Sequence, residues 1–293
     1  MPRDISHNEK MRGNRAMYSG ALIRLVLVGL VLLVGLSAGL VWVFNGGGSP
    51  PGQIRNIVLI SIDTCRADHL SCYGFTRKTT PNIDAVAEQG ILFENVMAPV
   101  PLTFPAHSTM LTGTIPPHHG VRDNTKYRFV DSNLSLAEIL KEKGFATAAV
   151  ISAVVLSSEV GLDQGFDTYD DEFEDSLVSV GIVQRRGEEV SRVGIEWLQQ
   201  HRDEPFFLFL HYYDPHHDYS PPEPFASRFS DNLYAGEIAY TDYCIGQVID
   251  QLKSLGLQDS TLLIITADHG ELLGEHGDFA LAPAHLQNSH AAT

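Results

Sequence analysis

The chain has 293 residues, 44% of them hydrophobic, so its composition is that of a globular body with material for one large or two small domains. Its formal net charge is −16, and residues 1–24 alone are positive (Arg3, Lys10, Arg12, Arg15 and Arg24 against Asp4 and Glu9), which leaves −19 on the rest. So acidic a body argues against non-specific nucleic-acid binding, which rests on lysine and arginine neutralising phosphates, and no nucleic-acid partner is expected.

In chain order, residues 1–24 read as a cytoplasmic N-terminus. Residues 25–44, "LVLVGLVLLVGLSAGLVWVF", are twenty consecutive residues without a charge. At about 1.5 Å per residue they span about 30 Å, the thickness of a bilayer's hydrocarbon core. The preceding basic residues predict an uncleaved anchor with the N-terminus inside, preferred over a signal peptide, whose apolar run is shorter. The expected location is therefore a single-pass membrane protein whose main domain is periplasmic or extracellular. Residues 45–54, rich in glycine and proline, read as a linker.

From Asn56 onward, short apolar runs alternate with helical patterns. "NIVLISID" (56–63) reads as a buried strand ending at a carboxylate. "PNIDAVAEQG" (81–90) reads as a helix between Pro and Gly, and "ILFENV" (91–96) as a strand. A short helix begins near Thr103 in "PLTFPAHSTMLTG". "SLAEILKEKG" (135–144) is a capped helix and "ATAAVIS" (146–152) a strand. The acidic "DTYDDEFED" (167–175) reads as a solvated loop. Then come a helix in "EEVSRVGIEWLQQH", a strand in "FFLFLHYYD" (206–214), a long helix over 234–256 and a last strand in "STLLIITAD" (260–268). The alternation predicts an α/β domain, a largely parallel sheet with helices on both faces, over residues 55–279. Residues 280–293 show no periodicity and read as an irregular tail, so the domain looks cut short.

In a parallel α/β sheet, ligands bind beyond the carboxyl ends of the strands. Three strands here end in metal-competent groups: Asp63, the segment His211 to His217, and Asp268 with His269. Carboxylate oxygens with imidazole suit Zn²⁺, Mn²⁺ or a similar divalent ion. Thr103, just before a helix, carries a hydroxyl that a neighbouring cation could activate as a nucleophile. His118 and His119, in a Pro/Gly turn, read as exposed, and His276 is a weaker site candidate. Cys65, Cys72 and Cys244 have no zinc spacing; a Cys65–Cys72 bridge stays open, but packing as small hydrophobes is preferred.

"VLISIDTCRADHLSCYG", "PAHSTMLTGTIPPHHGVRDN", "FLFLHYYDPHHDYSPPEPF", "YAGEIAYTDYCIGQVIDQL" and "ITADHGELLGEHGDF" resemble the sulfatase-type branch of the alkaline phosphatase superfamily. The resemblance implies an alkaline phosphatase-like fold and a metal-dependent hydrolase of sulfate or phosphate esters, its cofactor a divalent ion such as Zn, Mn or Ca. Carried over by position, Asp63, Thr103, Asp268 and His269 match the metal ligands and Thr103 also the nucleophile. His211 and His216 match the segment that contacts the anion or protonates the leaving group. His107, Lys126 and Asp214 are further candidates for substrate contact. Two departures stand out. Sulfatases carry C/S-x-P-x-R, whose Cys or Ser is oxidised to formylglycine, whereas "TFPAH" has a threonine and places His107 where the arginine would be. Thr64 also replaces the second of two aspartates. These departures resemble instead the phosphodiesterases and phosphoethanolamine-type transferases of the same superfamily. An inactive, membrane-tethered remnant is the reading that the short C-terminus suggests.

Overall fold

A computed structural model describes residues 54–173, 177–179 and 182–275. The expected anchor at 25–44, its flanks, His276 and the tail at 280–293 lie outside the described residues. Among the described residues no helix is long and apolar enough to cross a membrane.

Seven strands are described: β1 (Asn56–Ile62), β2 (Ala146–Val150), β3 (Thr168–Asp170), β4 (Leu177–Ser179), β5 (Ile182–Gln184), β6 (Phe206–Tyr212) and β7 (Thr261–Ala267). Five form one parallel sheet in the order β3-β2-β6-β1-β7, and β4 and β5 pair antiparallel beside it. The helices are α1 (Pro81–Gln89), α2 (Thr103–Thr112), α3 (Pro116–His119), α4 (Leu136–Glu142), α5 (Gly187–His201), α6 (Phe225–Arg228) and α7 (Leu233–Ser254). The expected parallel α/β architecture is observed.

The two-residue period of β1 and β6 divides the core into two layers. Val58, Ile60, Ile62, Leu208 and Leu210 face one side, packed on Ile83 of α1, Val190 and Leu198 of α5, and Ile245 and Val248 of α7. Leu59, Phe207 and Phe209 face the other, packed on Phe104 and Leu111 of α2 and Ala137 and Leu140 of α4. Ser61, Asp63 and His211 continue that second parity, so the chemistry at the strand ends is set on the α2 side. Helix starts follow local signals. Ser135 and Glu138 form a reciprocal capping box on α4. The Asp242 carboxylate of α7 accepts the backbone N–H groups of Asn82 and Ile83 and so caps α1 from a distance.

Three expectations are corrected. "ILFENV" forms no strand: Ile91 and Phe93 are 80% and 64% exposed, and no strand pairs with the segment. An apolar run becomes a strand only where a ladder partner is within reach. Here Ile91, Leu92 and Phe93 instead help line an apolar groove of about 640 Å³ with Leu263 and Ile265 of β7, and none of Asp63, Thr103, Asp268 or His269 lines it. The acidic stretch is not wholly loop, because Thr168–Asp170 pairs with β2 and Arg185 binds Asp170 at 2.6 Å. His119 is buried rather than exposed, hydrogen-bonded to Thr109 Oγ1 and to the Val121 N–H. The three cysteines are free; Cys65 and Cys244 pack in the core as expected.

Candidate active site

The register of the parallel ladder brings the site together. Ile62 of β1 sits opposite Tyr212 of β6 on one side and Ala267 of β7 on the other. One residue further on, Asp63, Tyr213 and Asp268 therefore stand side by side at the carboxyl edge. The Asp63 N–H still donates to the Tyr212 carbonyl at 2.8 Å. Thr64 then turns the chain through a left-handed conformation (φ 53°), uncommon for a β-branched residue. The turn lets its N–H donate to Asp268 Oδ1 at 3.1 Å. Tyr234 of α7 clamps this turn: its hydroxyl donates to the Thr64 carbonyl at 2.7 Å and accepts the Arg66 N–H at 2.9 Å.

Asp268 Oδ1 is fully engaged, since it also accepts the His269 N–H at 2.7 Å. Its other oxygen, Oδ2, and Asp63 Oδ1 are buried with no hydrogen-bond partner. His269 Nδ1 lies 2.9 Å from the Gly270 carbonyl, which can only accept, so the proton is on Nδ1. In the neutral ring Nε2 offers a lone pair, 3.3 Å from Asp268 Oδ2 and 3.5 Å from Thr103 Oγ1. Burial favours that neutral form, but the charges of Asp268 and then Asp63 outweigh it and raise the ring's pKa. One ligand atom each from Asp63, Asp268 and His269 lies within 4.8 Å of the other two. Metal–ligand bonds of about 2.0–2.6 Å can bridge such gaps. Burial, and after it the charge of Asp63, pushes the Asp268 carboxyl above its ordinary range. Among the described residues no lysine or arginine pairs with either aspartate. Two hard oxygens lacking partners, an imidazole lone pair and a hydroxyl fit a divalent cation.

Thr103 is the first residue of α2, and it does not cap the helix. That role falls to Asn124, whose Oδ1 accepts the Phe104 N–H at 2.9 Å. The threonine hydroxyl is left to the cluster. His211 is fully buried, its Nε2 3.3 Å from Asp63 Oδ2, and burial pushes its pKa down to about 4. His216 is half-buried and stacks on Tyr213 with ring centroids 4.4 Å apart. Its Nδ1 donates to the His217 carbonyl at 2.7 Å.

The three further candidates are placed differently. His107 lies beneath Thr103, fully buried, and no face of it is open to a substrate. Asp214 does not join the cluster. It is held by Arg186 together with Glu237, each carboxylate 3.4 Å from the guanidinium, and Gly187 leaves room for it, because a Cβ there would stand 2.8 Å from Asp214 Oδ2. Lys126 is exposed, at φ 65°, two residues beyond Asn124. Ser61 and Tyr234 were not picked out from sequence, and Thr64 was noted only as a departure. All lie within the quoted motifs, but only the fold reveals what they touch.

A parallel sheet carrying buried carboxylates, imidazole and a hydroxyl at its carboxyl edge defines an alkaline phosphatase-like α/β protein. The sulfatase family model matches residues 55–292, and the chain belongs to that family. It is similar to human arylsulfatase A, 26% identical over 82% of this chain and 55% of that protein. It is also similar to the mouse bis(5'-adenosyl)-triphosphatase enpp4, 27% identical over 82% of this chain and 52% of that protein. The fold is shared with a solved alkaline phosphatase superfamily protein from Vibrio parahaemolyticus (TM-score 0.64, 20% identity, 78% of this chain and 57% of that one). The chain thus spans about half the length of these curated relatives.

Proposed function

We propose that this chain is a metal-dependent hydrolase of anionic sulfate or phosphate esters in which Thr103 is the nucleophile. One observation carries the reading: the Thr103 hydroxyl stands 3.5 Å from the His269 lone pair, beside two buried carboxylate oxygens that have no partner. Asp63, Asp268, His269 and Thr103 are the residues that would hold the ion. A bound divalent cation would favour the alkoxide form of the threonine and offset charge on the substrate's non-bridging oxygens.

Thr103 Oγ1, its proton released to solvent as the alkoxide forms, attacks phosphorus or sulfur in line, forming the new ester bond as the bond to the leaving oxygen breaks. His216 protonates that oxygen; it is chosen over His211 because His211 is buried and turned onto Asp63. With Nδ1 committed to the His217 carbonyl, the His216 Nε2 is the nitrogen that can carry the proton. Water then releases Thr103; a second alcohol in its place would make the protein a transferase.

Phosphoryl transfer is favoured over sulfuryl transfer. Threonine cannot become the formylglycine aldehyde, and the similarity to a triphosphatase supports the same chemistry. We further propose that residues 25–44 anchor the domain outside the cytoplasm, which protease protection of membrane vesicles tests. The activity test is hydrolysis of bis-p-nitrophenyl phosphate, p-nitrophenyl phosphate and p-nitrophenyl sulfate with Zn²⁺, Mn²⁺ or Ca²⁺. Metal-dependent cleavage of the phosphodiester is expected. Absence of both turnover and a metal-induced thermal shift would leave a non-enzymatic binding domain instead.

A further inference from the structure

His107 sits one helical turn after Thr103 on α2 and is fully buried. Its Nδ1 lies 2.7 Å from the Thr103 carbonyl, which can only accept, so Nδ1 carries the proton and donates. Nε2 is then the acceptor for the Ser61 hydroxyl, 2.9 Å away on β1 and two residues before Asp63. The ring edge stands 3.7 Å from Asp268 Oδ2, and the ring meets His211 edge-on at 4.9 Å between centroids. Phe209 closes a further side at 5.9 Å. One rigid imidazole thus joins the first turn of α2 to β1 and stands against a carboxylate from the end of β7. Both ring nitrogens are spent on the protein, so neither is left for a ligand.

We propose that His107 is a positioning residue that sets the place of the Thr103 hydroxyl relative to the Asp63–Asp268–His269 cluster. The inference rests on the nucleophile role proposed for Thr103. Where the arginine would put a charged fork, a neutral imidazole with one donor and one acceptor bridges a backbone carbonyl and a hydroxyl. An error of about 1 Å in the nucleophile's place costs about 10²-fold in rate.

Two substitutions in the full chain separate the two bonds. In His107→Asn the amide N–H₂ takes the place of Nδ1 and reaches the Thr103 carbonyl. In His107→Gln it reaches toward Ser61 and leaves Thr103 unheld. With bis-p-nitrophenyl phosphate and saturating metal, His107→Gln should lose about 10²-fold in kcat with KM changed less than about threefold. His107→Asn should recover about tenfold of that loss. A rise in KM at constant kcat would instead mark His107 as a substrate contact and overturn the proposal. Equal losses in the two variants would do the same, since they reduce the role to packing.

Crystal structures of both variants read the inference without turnover. Displacement of Thr103 Oγ1 away from His269 in His107→Gln but not in His107→Asn supports it. An unmoved Thr103 in His107→Gln overturns it. If the wild-type protein cleaves none of the three esters, the proposed hydrolase activity fails, while these structures still decide whether His107 places Thr103.

Discussion

Around Arg186, the buried carboxylates of Asp214 and Glu237 share one guanidinium, 3.4 Å from each, and the Ser220 N–H reinforces Glu237 at 2.7 Å. At the sheet edge, Asp63 and Asp268 are buried just as deeply, but their neighbours are imidazoles, a backbone turn and a threonine hydroxyl. The first pair carries its counter-charge within the chain. The second has imidazoles but no lysine or arginine beside it among the described residues, although burying charge without a full counter-charge is among the most costly things a fold does. A cluster that the chain leaves short of positive charge is one that charge from outside can complete, and this contrast singles out the second pair as the functional one.

Four measurements test that difference between the two pairs. Thr103→Ala should remove turnover by about 10³-fold or more while leaving metal affinity within about tenfold, measured by initial rates and calorimetry. Retained activity would take the nucleophile out of the account. Asp268→Asn should weaken divalent-metal binding by about 10²-fold or more. It should also raise the metal-free melting temperature by roughly a few degrees, because it removes one of two facing buried carboxylates. A variant that is less stable without metal would show that the pair is already balanced.

The Arg186 pair should behave in the opposite sense. Arg186→Met leaves the buried Asp214 and Glu237 carboxyl groups without their shared guanidinium and should cost about 2–4 kcal/mol in urea unfolding, with metal affinity unchanged. The value is set below that of a fully enclosed pair because the arginine side chain is 28% exposed. The smallest effect concerns pH. Burial, and then the charge of Asp214, push the Glu237 carboxyl upward. The folded chain therefore keeps a proton that the unfolded chain releases near pH 4, so stability falls as pH rises from there toward neutrality and above. Glu237→Gln removes that slope. The melting temperature between about pH 5 and 8 should flatten by roughly a few degrees relative to wild type. An unchanged slope would remove Glu237 from the pH response.

Much of this organisation is legible in the residues themselves. β1, β6 and β7 are continuous apolar runs ending in polar groups, and because parallel strands in register end at one level, Asp63 and Asp268 could be placed together. Thr103 could be joined to them through its position at a helix start. Other features depend on partners distant in the chain. "ILFENV" has the composition of a strand but no neighbour to pair with. Asp214 sits inside a motif that belongs with the site, yet Arg186, 28 residues earlier, turns it to structural use. His107 reads as a candidate for substrate contact in place of the motif arginine until Ser61, 46 residues away, is seen to hold its second nitrogen. Local pattern marks a residue as chemically capable; tertiary contact decides whether that capacity is spent on the fold.

The most direct test is anomalous scattering from crystals of the full chain soaked in Mn²⁺ or Zn²⁺. An ion bonded to Asp63, Asp268 and His269, with Thr103 Oγ1 beside it, is expected. An ion bound elsewhere while Asp63 and Asp268 stay unliganded, or no ion at concentrations that saturate family members, would contradict it.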